Sequence, residues 1–313
     1  KVILDGSTMG TSYSLSYVSD SVSIDKKSID SILYELNQSL STYIDSSTIS
    51  RANRSADSIE IDPHLCRVLN RAISISELTK GAFDFSILPL VNAYGFGAEE
   101  RKDHLPSELA KRHKSVGYSN IKLSCFDGSC YMIKANKSTQ IDLSAIAKGY
   151  GVDVLSSYLD DKGVSDYLVE IGGELNSKGA NEIGQHWRIG ITKPDTSAGL
   201  KEYVMVLSDD SLSLATSGNY RNYYWKGDEL YVHTIDPKTG KPVSSDLLSI
   251  TIQASDCMTA DAVATACMVM GKDSSINFLK QNDDLSGILF YKENDSLKHI
   301  NVGLKARLAP KGS

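Results

Sequence analysis

Apolar residues in this chain switch repeatedly between a period of two and a period of three to four, and the two kinds of stretch do not alternate one for one. That irregular interleaving constrains the fold more than any other feature. A parallel sheet needs a long crossover, usually a helix, between strands, whereas successive strands without one must pair antiparallel. The pattern therefore predicts an α+β fold with largely antiparallel sheet. Segments 2–4 and 12–18 read as strands of a hairpin, and 25–40 as a helix with Ile29, Ile32, Leu33, Leu36 and Leu40 on one face. Pro63 opens a second helix over 63–80, closed at Gly81, and 107–114 reads as a short third. The region 118–143 is strand-like, 145–161 is helical, and strands follow at 166–171, 187–192, 202–207, 212–216, 231–235 and 247–254. Helices at 259–270 and 274–281 and a hairpin over 287–300 complete the pattern. With 313 residues, the chain suits one large domain, 1–313, or two intimately packed lobes.

Composition removes several classes of function. The formal charge is −6 and no basic stretch is present to neutralise phosphates, which argues against nucleic acid as a partner. No run approaches the ~18 apolar residues of a membrane span. The first residue, Lys1, stands one step before a strand; a removed signal or lipid-anchor segment would leave such a start, and so would a chosen truncation. None of the five cysteines forms a Cys-x-x-Cys pair, so a zinc ribbon or thioredoxin-type site is not expected. Cys125 and Cys130 bracket a turn between two strand-like segments, where facing positions approach disulfide distance. They read either as a disulfide, favouring an oxidising compartment, or as two free buried thiols. Cys257 and Cys267 read as small core residues.

Several segments carry chemistry. In Gln140–Tyr150 an apolar strand ends in Asp142-Leu143-Ser144 and turns directly into a helix with Lys148 one turn in. Asp142 or Ser144 can cap that helix, and its free amides beside a lysine suit a diphosphate; a capped helix with a solvated lysine is the plainer alternative. Leu168–Glu174 runs a buried strand into Gly172-Gly173 with acids on both sides, so the backbone can approach a ligand or simply turn tightly. The dinucleotide fingerprint is absent. Leu214–Tyr224 is dense in hydroxyls, amides and tyrosines for a strand end, fitting either a polar pocket or an exposed loop. His233 stands near a strand end before a Pro-Lys-Thr-Gly turn, as a general base or as a hydrogen-bonded structural residue.

The sharpest local feature is Thr259–Ala266. Asp261 and Thr265 are four apart on one helical face, flanked by alanines that admit a close partner. A carboxylate and a hydroxyl suit Mg²⁺, a hard ion that bridges phosphate oxygens. Alternatively, Asp261 stabilises the helix start and Thr265 bonds back to a carbonyl.

Taken in order, these segments resemble the ApbE family of flavin transferases, the FAD:protein FMN transferases. The likeness runs through Met9-Gly10-Thr11, Ser41-Thr42-Tyr43, Gly81-Ala82-Phe83-Asp84, Pro89-Leu90-Val91-Asn92 and Gly95-Phe96-Gly97. It continues through Asp142–Tyr150, Val169–Glu174, Ala215–Tyr224, His233–Pro237 and Thr259–Ala266, covering nearly the whole chain. The resemblance implies a two-lobed, T-fold-related α+β architecture with FAD between the lobes. It implies FAD contacts from Met9, Tyr43, Ala82, Phe83, Asp84, Asp142, Lys148 and Ile235, and from the Glu170-Gly172-Gly173 turn. It implies Mg²⁺ held by the side chains of Asp261 and Thr265, with main-chain oxygen from Ala145 and Ala264. The Cys125–Cys130 pair has no place in that pattern.

The implied reaction moves the FMN half of FAD onto a threonine or serine hydroxyl of an acceptor protein and releases AMP. His233 is the first candidate for the base, with Asp261 or Asp236 in reserve. The acceptor would be a flavin-carrying subunit of a membrane redox complex or an exported reductase, and the location extracytoplasmic, with a lipid anchor at the inner membrane. Hydrolysis of FAD to FMN and AMP, or FAD binding without catalysis, are the alternative functions.

Overall fold

The computed structural model describes residues 1–98, 106–194, 203–219, 223–226, 229–294 and 296–308. The chain divides into two compact units. One comprises Lys1–Ile32, Lys148–Arg221 and Ser245–Ser313; the other comprises Leu33–Ala147 and Asn222–Ser244.

An eight-stranded sheet dominates the first unit. Its spatial order is Val2–Thr8, Thr11–Val18, Asp166–Ile171, Glu174–Lys178, Ser211–Gly218, Leu247–Gln253, Ser286–Glu293 and Ser296–Val302. Every neighbouring pair is antiparallel, as the irregular interleaving predicts. Period-two patterning sets its faces: Tyr13, Leu15 and Tyr17 are buried, while the serines between them are not. The first hairpin is longer than its apolar residues indicate. Both strands extend through the polar segment, and only Met9 (φ 50°) and Gly10 (φ 74°) form the turn, the two-residue left-handed geometry that matches strand twist. A second sheet joins Ala306–Leu308, Tyr203–Leu207 and Ile189–Thr192. Ile189, Ile191, Leu207, Leu212, Leu214, Ile288, Phe290 and Leu304 form an apolar cluster in this unit.

The helix Cys257–Met270 lies on Ser211–Gly218 and Leu247–Gln253. Its alanines allow that close seat. Its free N-terminal amides are met by two carboxylates. Asp256 accepts from the Thr259 amide at 2.7 Å. Asp153, on the helix Ser144–Asp161, accepts from the Cys257 and Met258 amides at 2.9 and 2.8 Å. Gly149 makes the same approach possible, because a Cβ there would run into the Cys257 carbonyl and lie 2.8 Å from Met258 Cα.

In the second unit, Thr48–Arg54, Pro63–Leu78, Leu88–Ala93 and Pro106–His113 are helices, and Ser58–Ile61, Ser129–Lys134 and Ile121–Phe126 form an antiparallel sheet in that order. Asp62 caps Pro63–Leu78 by accepting from the Leu65 amide at 2.9 Å. Two short ladders pair Tyr223–Lys226 with Glu229–Val232, and Ile235–Asp236 with Lys241–Pro242. Leu90, Tyr94 and Ile235 centre a local core, and the Tyr94 hydroxyl donates to the Gly240 carbonyl at 3.0 Å.

The cysteine expectation needs correction. Cys125 and Cys130 do face each other across a hairpin, closed by Asp127 and Gly128 at φ 49° and 80°. The disulfide nevertheless joins Cys130 to Cys66, and Cys125 is an exposed free thiol. Directly opposed residues share a face of the sheet, and the helix Pro63–Leu78 brings Cys66 onto that face. A helix residue 64 positions away therefore competes with the hairpin neighbour, which spacing alone does not reveal. Cys257 and Cys267 are fully buried, as expected.

Gly149→Ala should destabilise the protein by ~1–3 kcal/mol, the usual cost of overpacking a close contact. A lower urea midpoint with an unchanged denaturant slope is the expected result; an unchanged midpoint would mean that the two helices separate freely.

Candidate functional site

In the first unit Lys148 and Asp261, both singled out from the sequence, meet Glu174 in a buried charged cluster. Lys148 Nζ lies 3.6 Å from Glu174 Oε1 and 3.8 Å from Asp261 Oδ1. Asp261 is 2% exposed, and its Oδ2 accepts from the Gly149 amide at 3.0 Å. Glu174 is 3% exposed, and among the described residues its Oε2 has no hydrogen-bond partner. Burial pushes the Glu174 carboxyl up, and the nearby Asp261 charge adds to this, against the opposing pull of Lys148. Burial likewise raises Asp261, with Lys148 and the Gly149 amide acting against it. Lys148 is disfavoured as a cation by burial, but the charges of Asp261 and Glu174 outweigh that and hold it protonated well above the usual lysine range.

The surrounding parts are set by local structure. Gly172 (φ 63°) and Gly173 (φ 108°) make the turn between Asp166–Ile171 and Glu174–Lys178, and Glu170 Oε1 accepts from the Gly173 amide at 2.7 Å. A side chain at Gly172 would press on Thr11 and on the Lys148 stem, so the turn leaves room for the lysine. Met9, at the first hairpin's tip, reaches Gly151, where a Cβ would stand 3.3 Å from Met9 Cε. Thr265, half-buried, lies 3.4 Å through its hydroxyl from Ser217 Oγ. The Ala264 carbonyl belongs to the same helix.

The remaining candidates lie in the second unit. Tyr43 is 69% exposed; partial burial and the Asp142 charge raise its hydroxyl pKa. Asp142 receives the Ser144 amide at 2.9 Å and the Ser144 hydroxyl at 3.1 Å, so Asp142 rather than Ser144 caps the helix Ser144–Asp161. Ala145 occupies its first turn. Ala82, Phe83 and Asp84 are buried. The Asp84 carboxylate organises its own loop: Oδ1 accepts from the Ser86 amide and hydroxyl at 2.8 and 2.6 Å, and Oδ2 from the Tyr118 amide at 2.9 Å. Burial raises its pKa against those bonds. Ile235 is a core residue. His233 sits in the break between Glu229–Val232 and Ile235–Asp236, edge-on to Phe96 with ring centroids 6.4 Å apart. Tyr220, Arg221 and Asn222, in the polar strand-end segment, lie outside the described residues.

Glu174 and Asp153 belong to this cluster and its helix seam, and sequence reasoning named neither as a site residue. Glu174 had a legible signal: its hairpin partner is Ile171, a fully buried residue, so Glu174 shares the inward face. Asp153 had none, because its role is to cap a helix more than a hundred residues away.

The donor set is one of hard oxygens: two buried carboxylates, one with an unpartnered atom, and a threonine hydroxyl on the same helical face as Asp261. Such a set fits Mg²⁺ and does not fit soft metals. One lysine against two acids also leaves the cluster with one negative charge in excess when all three are ionised.

The proteins that share this α+β fold, built on an antiparallel sheet, are flavin transferases. The chain belongs to the ApbE family, whose profile matches residues 9–289. A Vibrio cholerae protein named FAD:protein FMN transferase is 37% identical over 306 residues, spanning 95% of this chain and 90% of its own. A Haemophilus influenzae protein of the same name is 38% identical, spanning 90% and 85%. The solved structure of the Vibrio cholerae flavin transferase ApbE superposes with a TM-score of 0.85 at 36% identity, covering 96% of this chain and 97% of that one.

Glu174 predicts a pH dependence. Its carboxyl is raised from 4.5 to about 8, so between those values the folded state holds a proton that the unfolded chain has released. Stability must fall as pH rises through that window. In EDTA, Glu174→Gln should show a shallower loss of melting temperature between about pH 5 and 8 than the parent protein. Parallel curves would mean that Glu174 titrates as an ordinary surface acid.

Proposed function

We propose that this flavin transferase moves the FMN moiety of FAD onto a threonine or serine hydroxyl of an acceptor protein, in a Mg²⁺-dependent reaction that releases AMP. The observation that carries the reading is the buried Lys148–Glu174–Asp261 cluster, with Thr265 one turn along the helix of Asp261. Asp261 and Thr265 would hold the ion, with the Ala145 and Ala264 carbonyls as further oxygens. When bound, Mg²⁺ supplies charge neutralisation at the diphosphate.

The chain's own residues account for the rest. Lys148 stays protonated and brings positive charge to the diphosphate as the phosphorus–oxygen bond to AMP breaks. The ring of Tyr43, exposed in the second unit, would stack on a planar flavin. Gly172 and Gly173 present bare backbone to the substrate. Asp84 and Asp142 fix the loops around Ala82-Phe83 and the helix start, so their part in FAD binding is to hold backbone in place. His233 takes the proton of the attacking hydroxyl as the new phosphorus–oxygen bond forms. An extracytoplasmic location with a lipid anchor is part of the same proposal; the Cys66–Cys130 disulfide supports an oxidising compartment. The acceptor is proposed to be a flavin-carrying subunit of a membrane redox complex or an exported reductase.

Incubation with FAD, Mg²⁺ and a threonine-bearing acceptor should give a fluorescent band at the acceptor's mass and stoichiometric AMP. AMP without the band would make the enzyme a hydrolase, and neither product would make it a binder. His233→Ala should lower turnover by ~10²–10⁴ with FAD affinity kept, as loss of a general base does. Asp261→Asn should abolish the Mg²⁺ response. Unchanged turnover in His233→Ala would remove that residue from the base role.

A further inference from the structure

Away from the charged cluster, three cysteine sulfurs meet on one face of the small sheet. Cys66 comes from the helix Pro63–Leu78, Cys125 from the strand Ile121–Phe126 and Cys130 from the strand Ser129–Lys134. All three Sγ atoms lie within 4.8 Å of one another. Cys66 and Cys130 are bonded. The free Cys125 sulfur stands 2.8 Å from Cys130 and 3.6 Å from Cys66. The Asp127-Gly128 turn fixes the register that opposes Cys125 to Cys130, so the convergence is a product of the hairpin as well as of the helix.

The arrangement is a triangle. Passing the disulfide from one partner to another requires attacking, central and leaving sulfurs close to a line. With Cys130 at the centre and an ordinary S–S bond of about 2.05 Å, a line would hold Cys66 and Cys125 about 4.8 Å apart. They are 3.6 Å apart, so the free thiol stands beside the disulfide and not behind it. A triangle of sulfurs is the shape that a three-coordinate soft ion takes. Among the described residues no histidine or carboxylate joins the group as a fourth ligand, whereas structural zinc almost always takes four.

We propose that Cys66, Cys125 and Cys130 form a three-thiolate site for Cu⁺ in the dithiol-reduced protein. A dithiol reductant gives two electrons and two protons to the Cys66–Cys130 bond and itself closes to a disulfide, leaving three thiols on this chain. Cu⁺ then forms three copper–sulfur bonds while three protons leave to solvent, with copper unchanged in oxidation state. The disulfide form is the closed state of the site. Exposure of Cys125 provides the entry, and Cys257 and Cys267, fully buried elsewhere, take no part.

The whole chain, reduced with dithiothreitol and desalted under nitrogen, is titrated with Cu⁺ against the chromogenic chelator bathocuproine disulfonate. One copper per chain should be retained, with three sulfur neighbours in the copper K-edge absorption spectrum, and the unreduced protein should retain none. Cys125→Ser removes an exposed sulfur and keeps the disulfide that the fold contains. It should weaken copper retention by at least about tenfold, since even outer-shell changes at metal sites cost that much, and leave two sulfurs on any copper bound. No retained copper, a two-sulfur shell in the unaltered protein, or undiminished binding in Cys125→Ser would overturn the proposal.

Discussion

A lysine ammonium held against two buried carboxylates is the constraint from which the rest of the first unit follows. Lys148 reaches Glu174 and Asp261 only because three separate segments are brought within 4 Å of its nitrogen. Removing a carboxylate from water is costly, and the charged form persists only where partners compensate it. Asp261 has Lys148 and the Gly149 amide; Glu174 has Lys148 on one oxygen and nothing on the other. Once Glu174 gives up its proton, one cation against two acids leaves one negative charge in excess, and a site in that condition attracts a further cation. The same condition explains why the seam must be tight: a water-filled gap would solvate the acids and remove their demand for one.

Much of the surrounding architecture serves that closeness. Gly149 lacks the Cβ that would hold its helix away from the Cys257 turn, and Asp153 and Asp256 answer the amides at the start of Cys257–Met270. Alanines along that helix leave Asp261 and Thr265 as its polar groups on the working face. The Gly172-Gly173 turn sets Glu174 inward and clears space for the lysine stem. In the second unit, carboxylates that the family resemblance marks as FAD contacts also hold local structure together. Asp84 ties a loop together through three bonds, and Asp142 caps a helix.

The antiparallel character of the fold, the helix around Asp261, and the helix start before Lys148 were all legible in the chain; the strand expected to lead into that start is only an isolated bridge between Gln140 and Ile87. Each rests on short-range physics: side-chain alternation along a strand, helical spacing of apolar residues, and capping by a nearby carboxylate. Membership of the ApbE family was legible for another reason, since many ordered segments agree together. The first hairpin's full length was not, because Asp, Gly and Ser favour turns in isolation and enter strands when a partner strand takes their amides.

Local patterns in the sequence thus determined which residues could carry charge, cap a helix or turn a strand, and on which face each would lie. Tertiary structure alone decided which of them meet. Glu174 joined Lys148, Asp153 found a helix a hundred residues on, and Cys130 paired with Cys66 in place of its hairpin neighbour. The reason is distance along the chain: a contact between residues remote in sequence is set by how whole elements pack, and no local period or spacing encodes that choice.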